Sequence, residues 1–430
     1  MTAPKSALGL RTIVNLIIAS MVGTGVFTSS GFLMGDIGSK PAVLLGWLLG
    51  GLLALCGGLA YAELGAAFPG NGGEYQLLTR IYHPAVGFLA GLTSFIIGFS
   101  APVAAYAIAV ATFLGTLIPA LPVTFTALVL VVAMSVMHSQ KTDTSAKWQD
   151  ALTFGKLALI AVLCLAGFLP HEHVFNEPSA MPLGTAVLSK PFAQGLIWIS
   201  FAYSGWNAAS YVAGEVKDPA KTLPRAVIIG TLVVTCLYVW LNWVFLDAAP
   251  TSEIAGKLEV AEIAARHLFG DSASRIVGAV VALGLLSTMG AMIMTGPRVL
   301  EAIGDDYPRL HAVATRTTGY GPMKAVGVQG VVAAIMVLTA SFDTLVDAVG
   351  LVLSIWCLLT VLGVIVLRIR EPGLYRPYKT FLYPVTPLLF IALSVWMIGY
   401  RLVGEPALLV KGAVAVLICV PLYFWGRRPA

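Results

Sequence analysis

Apolar residues run along this chain in long blocks, separated by short polar stretches rich in proline, glycine and charge. A membrane-crossing helix needs about 20 mostly apolar residues, and about twelve blocks reach or approach that length. They fall near 10–34, 41–68, 85–117, 122–137, 149–169, 191–214, 225–248, 274–303, 324–341, 344–368, 380–402 and 406–426. Their length predicts helices, because barrel strands would be about ten residues with strict alternation. Two blocks are interrupted. In the first, Ser20-Met21-Val22-Gly23-Thr24-Gly25-Val26-Phe27 sets two glycines one residue apart in the middle of the run. In the sixth, Phe201-Ala202-Tyr203-Ser204-Gly205-Trp206-Asn207 does something similar. Each mid-helix glycine costs roughly 1 kcal/mol relative to alanine. A membrane span accepts that cost where unwound backbone lines a cavity and turns free N–H and C=O groups on a ligand. Paired broken helices at corresponding places in two halves point to a transporter's binding site.

Composition supports this reading. The 430 residues are 58% hydrophobic and 11% charged, against about 25% charged in soluble domains. The expected class is an all-α integral membrane protein, held in the cell (inner or plasma) membrane. Most of the 26 Lys and Arg residues fall on one side if the N-terminus is cytoplasmic, Arg225, Arg298, Arg368 and Arg376 among them. The positive-inside bias then puts both termini in the cytoplasm, and the net charge of +5 needs no nucleic acid. All five cysteines lie in apolar runs, so no disulfide framework is expected. The first run is too long for a signal-peptide core and is read as a retained span.

Few ionisable residues lie inside the runs. Glu63, at the end of the second span, is expected to pair with a cation or to line a water-filled vestibule, in a gate or structural ion pair. Lys156, in the fifth span, has no obvious acidic partner on its own helix. Its ammonium can snorkel to the cytoplasm or point inward at carbonyls of the broken first span, as a fixed cation or a titrating one. The eighth span carries Ser287 at mid-depth. His171-Glu172-His173 reads as a solvated loop rather than a metal site, since no further ligand stands at suitable spacing. The charged stretch 251–275 reads as a solvated connector by default, with a surface helix as the alternative. Spans nine to twelve offer nothing that reads as a site.

An interrupted span gives two half-helices. The N-terminal end of the second half presents free N–H groups and partial positive charge, and the C-terminal end of the first presents carbonyls and partial negative charge. A zwitterionic amino acid matches both. Its carboxylate suits Val22, Gly23, Thr24 and Gly25. Its ammonium suits carbonyls near Ala19 and Met21 and, across the site, near Phe201 and Ser204. Ala202 and Gly205 belong to the second break, and Asn207 can complete the hydrogen bonding. Phe201 suits a lid over the substrate. Close helix packing is the competing explanation of Gly23 and Gly25.

These stretches resemble the amino acid–polyamine–organocation superfamily. Thr24 stands in the serine place of its glycine-serine-glycine break. Tyr61-Ala62-Glu63-Leu64-Gly65 and Gly72-Gly73-Glu74-Tyr75 look like its signature after the second span. Phe201 to Asn207, then Glu215-Val216-Lys217-Asp218-Pro219 and Leu223-Pro224-Arg225, is most similar to the L-amino acid transporter branch. Gly296-Pro297-Arg298 and Tyr375-Arg376-Pro377-Tyr378 also match, so the likeness covers roughly residues 10 to 390. It implies a single domain of leucine-transporter type, with a five-plus-five inverted repeat (about 10–169 and 191–368) and extra helices at about 380–426. It also implies alternating access, Phe201 as an aromatic gate, Asn207 at the substrate, and Lys156 and Tyr238 near where sodium sits in sodium-coupled relatives. The implied cargo is neutral L-amino acids, moved by sodium-independent exchange or facilitated diffusion.

Animal members bind a glycoprotein partner through a cysteine between spans three and four, and 117–122 has none. A stand-alone carrier, monomeric or weakly homo-oligomeric, is expected, with no cofactor and no metal. A proton-coupled symporter is the alternative. A carrier of other small amines fits less well, since no acid stands at the breaks. A membrane enzyme would need a nucleophile with a base in reach, or a metal set, inside a span, and none is legible.

Overall fold

The computed structural model describes residues 8–23, 25–70, 72–139, 155–311 and 323–427. Thr24 and the polar segments 140–154 and 312–322 lie outside them, as does the start of the fifth span. The described chain is a helical bundle. Leu10–Met21 (α1) and Gly25–Ile37 (α2) make one broken span, bent by 41°. Lys40–Ala67 (α3) follows, then the short amphipathic helix Glu74–Ile81 (α4). Pro84–Thr93 (α5) runs through a π-helical turn at Ser94–Ser100 into Ala101–Leu117 (α6). Pro102 explains the softening there, since it lacks the N–H that would close the turn below it. The Ser100 hydroxyl donates to the Phe95 carbonyl at 2.8 Å within that turn.

Val123–His138 (α7) and Gly155–Ala166 (α8) are shorter apolar helices. After Leu183–Val187 (α9), the sixth span is Lys190–Ala202 (α10), a run of turns, and a 3-10 helix at Ala208–Glu215. Ser189 caps α10 by accepting the Phe192 N–H. Pro219–Ala248 (α11) follows, then Thr251–Ile254 (α12), Val260–Phe269 (α13) and Asp271–Asp306 (α14). The chain ends in Met323–Thr339 (α15), Phe342–Arg370 (α16), Val385–Gly404 (α17) and Ala407–Gly426 (α18). Among the described residues, seven helices are long and apolar enough to cross a membrane, and the bent α1–α2 pair passes as an eighth span.

The solvated connector expected at 251–275 is corrected. Val260, Ala261 and Ala264 on α13 are fully buried, and α13 packs on α14 and α2. Its apolar residues recur at helical spacing, so one face seals against the bundle.

The core sits where α3 and α1 lie along α11, and α6 along α14. Exposed apolar side chains such as Phe125, Leu165, Leu338 and Leu417 ring the outside. That surface suits hydrocarbon rather than water. α18 is peripheral: only 12% of its most apolar window is buried, against 67% for α3. Among the described residues the five cysteines are unpaired.

Both described chain ends lie at one end of the bundle, the near end. The Leu8 N–H donates to the Glu215 carbonyl and the Lys217 N–H to the Leu8 carbonyl. At the same end the Tyr423 ring contacts Tyr307, just past α14.

Candidate functional site

The two breaks face each other. Gly205 has φ +108, and a Cβ there would come within 2.6 Å of the Ser20 carbonyl carbon, so glycine lets the second break rest on the first. A Cβ on Gly25 would lie 2.6 Å from the Ala202 Cα. Tyr238, fully buried on α11, ties the pair together. Its hydroxyl lies 2.6 Å from the Met21 carbonyl oxygen and 3.2 Å from that of Ala202.

A cavity of about 750 Å³ leads from the breaks to the near end. Its wall includes Ser20 from the first break and Ser204, Gly205, Trp206 and Asn207 from the second. Arg298, Glu301, Asp305 and Asp306 line it where α14 reaches the near end. The opposite end is the far end. There the Lys40 ammonium, 2% exposed, pairs with Glu177 at 3.0 Å and donates to the Val174 and Ala249 carbonyls. Ser30 bonds Asn242, and the Trp47 indole donates to Ser30.

The first-break residues are divided. Val22 and Gly25 are buried, and neither is on the described cavity wall. Gly25 also serves the close approach of α2 to α10. Gly23 is not on that wall either, but a Cβ there would meet Thr288 Cγ2 at 3.4 Å and the Tyr106 hydroxyl at 3.9 Å, ordinary contacts rather than a clash. Thr24 lies outside the described residues. The carbonyls expected to meet an ammonium already accept donors. Ala19 faces Lys156 Nζ at 3.4 Å, Met21 takes Tyr238, and Phe201 takes the Ser204 N–H at 2.9 Å. Each keeps a second lone pair.

Phe201 is 3% exposed, and its ring centroid lies 6.2 Å from that of Tyr106. Asn207 reaches the cavity, yet its amide donates to Glu74 Oε1 at 2.6 Å. Glu74 is a buried hub, accepting also from the Tyr61 and Tyr211 hydroxyls. It fastens α4 to the second break.

Lys156 is 3% exposed, and its ammonium turns toward the C-terminal end of α1, where helix dipole and carbonyls favour a cation. Gly284 on α14 makes room, since a Cβ there would stand 3.0 Å from the Lys156 Cβ. Ser287 is fully buried one turn further on. Glu63 lies away from the breaks. Arg368 forks onto it with Nε at 3.1 Å and Nη2 at 2.6 Å, and Arg376 Nε stands 3.4 Å away. The Thr380 N–H and hydroxyl donate to it at 2.6 and 2.7 Å.

Spans ten and eleven, which offered no sequence signal, also supply the wall. Ser354 on α16 and Ser394 on α17 line the cavity with Cys357, Phe390 and Met397. The hydroxyls of Ser354 and Ser394 are buried and have no hydrogen-bond partner among the described residues. A lone serine in an apolar run carries no signal by itself, and only the assembled bundle brings these two to one cavity.

Four similarities frame this geometry. The model of the amino acid permease family matches residues 8–423. The serine/threonine exchanger SteT of Bacillus subtilis is 28% identical over 432 residues, covering 99% of this chain and 97% of the relative. The human Asc-type amino acid transporter 1 is 30% identical, covering 99% and 83%. The human large neutral amino acids transporter small subunit 2 is 29% identical, covering 99% and 82%. Broken spans, a cavity ending between them and a full-length match converge on one conclusion: the chain belongs to the amino acid permease family.

Proposed function

We propose that the chain exchanges neutral L-amino acids across the cell membrane by alternating access, binding them where the cavity meets the two helix breaks. The observation that carries this reading is the cavity's polar equipment at that point. Ser20, Ser204 and Asn207 line it with the hydroxyls of Ser354 and Ser394, which have no hydrogen-bond partner among the described residues. These neutral groups suit a zwitterion whose charges are met by helix ends rather than by side-chain ions. The carboxylate is assigned to the backbone at Gly23 and the start of α2, and the ammonium to the end of α1 and residues 201–204. The relatives named as exchangers and transporters of serine, threonine and neutral amino acids support the cargo class.

In this reading the near end is cytoplasmic, both termini included, and the conformation faces inward. Phe201 against Tyr106 forms the gate above the substrate. Lys156 takes the place of a coupling sodium ion, Tyr238 and Ser287 surround it, and Glu63 with Arg368 belongs to the inner gate. Residues 10–169 and 191–368 form the two repeats, with 380–426 appended. The carrier works alone or as a weak homo-oligomer, without a disulfide-linked subunit.

Proteoliposomes loaded with unlabelled serine should take up labelled serine or threonine rapidly. Empty vesicles should not, with or without a proton gradient. Uptake into empty vesicles that follows the gradient would replace exchange by proton symport. The absence of any amino acid flux would remove the reading.

A further inference from the structure

We propose that His171, His173 and Asp247 form a binding site for a divalent transition metal of the zinc class at the far end of the bundle. The sequence shows only a two-histidine loop. The fold supplies the missing ligand from 74 residues away, because α11 ends beside that loop. One ligand atom from each of the three residues can be chosen so that all lie within 4.8 Å of one another.

The protonation pattern is the telling detail. His171 Nδ1 lies 2.7 Å from the Leu169 carbonyl oxygen, which can only accept, so Nδ1 carries the hydrogen. A neutral His171 therefore presents a bare lone pair at Nε2. That lone pair faces Asp247 Oδ2 at 3.3 Å, and both belong to side chains only 2% exposed. Two acceptors facing each other out of water repel unless a cation, a proton or a metal ion, stands between them, and the His173 nitrogen beside the same oxygen supplies the third ligand a metal needs. Nδ1–H donated to a backbone carbonyl with Nε2 turned to the ion is also how metal-bound histidines are oriented. Asp247 is held likewise, its Oδ1 accepting the Phe175 N–H at 3.1 Å.

His173 completes the set. Its Nδ1 lies 2.6 Å from the same Oδ2, and its side chain is 64% exposed. Zinc bonds of about 2.0–2.1 Å at tetrahedral angles set ligand atoms about 3.3 Å apart. The His171–Asp247 spacing already matches, and the exposed His173 ring is free to swing outward. Two imidazoles and one carboxylate, with water in the fourth place, suit zinc rather than calcium or magnesium, which want more oxygen ligands. Bound metal would pin the loop after α8 to the end of α11.

The test is calorimetric titration of Zn²⁺ into the full-length, tag-free protein in detergent, with melting temperature read in parallel. The expected result is one Zn²⁺ per chain and a rise in melting temperature. Ca²⁺ and Mg²⁺ should give neither. His173→Ala, whose exposed ring makes it safe for folding, should weaken binding at least about tenfold and abolish the melting shift. Asp247→Asn should do the same. His267→Ala removes the separate exposed His267–Glu253 pair and should leave binding unchanged. Failure to bind Zn²⁺ would overturn the proposal and leave His171, His173 and Asp247 a structural contact between the loop and α11. Binding that survives His173→Ala but is lost in His267→Ala would overturn it as well.

Discussion

The Tyr238 hydroxyl donates to the Met21 carbonyl oxygen across 2.6 Å, so one side chain on α11 holds the last carbonyl of α1. The Ala202 carbonyl at the end of α10 shares it at 3.2 Å. Tyr238→Phe keeps the ring against Trp47 and Tyr203 but leaves a buried carbonyl without its donor. Such a loss costs about 1–3 kcal/mol. The variant should fold, and its exchange rate in proteoliposomes should fall at least about fivefold. An unchanged rate would mean that the clamp has no part in turnover.

Gly25 and Ala202 make a sharper experiment. A methyl on Gly25 runs into the Ala202 backbone and side chain, and overpacking of this kind costs about 1–3 kcal/mol. Gly25→Ala should lower the detergent melting temperature and suppress transport. Ala202→Gly removes the nearer of the clashing atoms, the Cβ 2.4 Å away. The double variant should regain part of both. If it regains nothing while substrate affinity is also lost, Gly25 acts on substrate rather than on packing.

Lys156→Met keeps length and packing while deleting the charge beside the Ala19 carbonyl. The end of α1 then loses its cation, and exchange should slow. Labelling of single cysteines placed along the cavity should report a changed balance between inward and outward states. Identical labelling and rate would leave Lys156 a structural residue.

Glu63 is bound by two arginines and by both donors of Thr380. Glu63→Gln leaves Arg368 and Arg376 facing a neutral group in a largely buried site. Breaking a buried pair costs at most about 3–5 kcal/mol, and the 20% exposure of Arg368 reduces that. The expected result is a clear fall in melting temperature with substrate affinity retained. Lost affinity in a stable protein would move Glu63 into the binding machinery.

At the far end, burial raises the Glu177 carboxyl, but the Thr251 N–H, the Lys40 ammonium and the Thr251 hydroxyl outweigh it and hold the group below the ordinary glutamate range. A depressed carboxylate stabilises the fold above its unfolded titration range and loses that contribution as pH falls through the folded value. Opening of the 169–180 loop, followed by hydrogen exchange, should therefore increase on acidification below about pH 4.5. Glu177→Gln should show more opening at neutral pH and a weaker response to acid.

The breaks were readable because glycine in the middle of an apolar run contradicts the helix around it, and two such contradictions at matching places leave few explanations. Glu63 and Lys156 were readable for a related reason, being charges where hydrocarbon was expected. The division of labour inside the first break was not. Gly23 and Gly25 look equivalent in sequence, and only the approach of α10 shows that one has room for a Cβ and the other is pressed against Ala202. Glu74 looked like part of a turn, and its place beneath Asn207 follows from how α4 folds back. Ser354, Ser394 and Asp247 gave no signal because their neighbours come from distant parts of the chain.

The pairing of Leu8 with Glu215 and Lys217 has a mechanical meaning. It is one of several contacts joining the first and sixth spans, and with Ser20 against Gly205 and Gly25 against Ala202 above it, it makes stitches at three heights. Two interrupted rods sewn together at three heights resist sliding past each other, although each is weak at its own gap. The pair is then a single strut, and a motion that closes the near end has to tilt it whole against the helices around it.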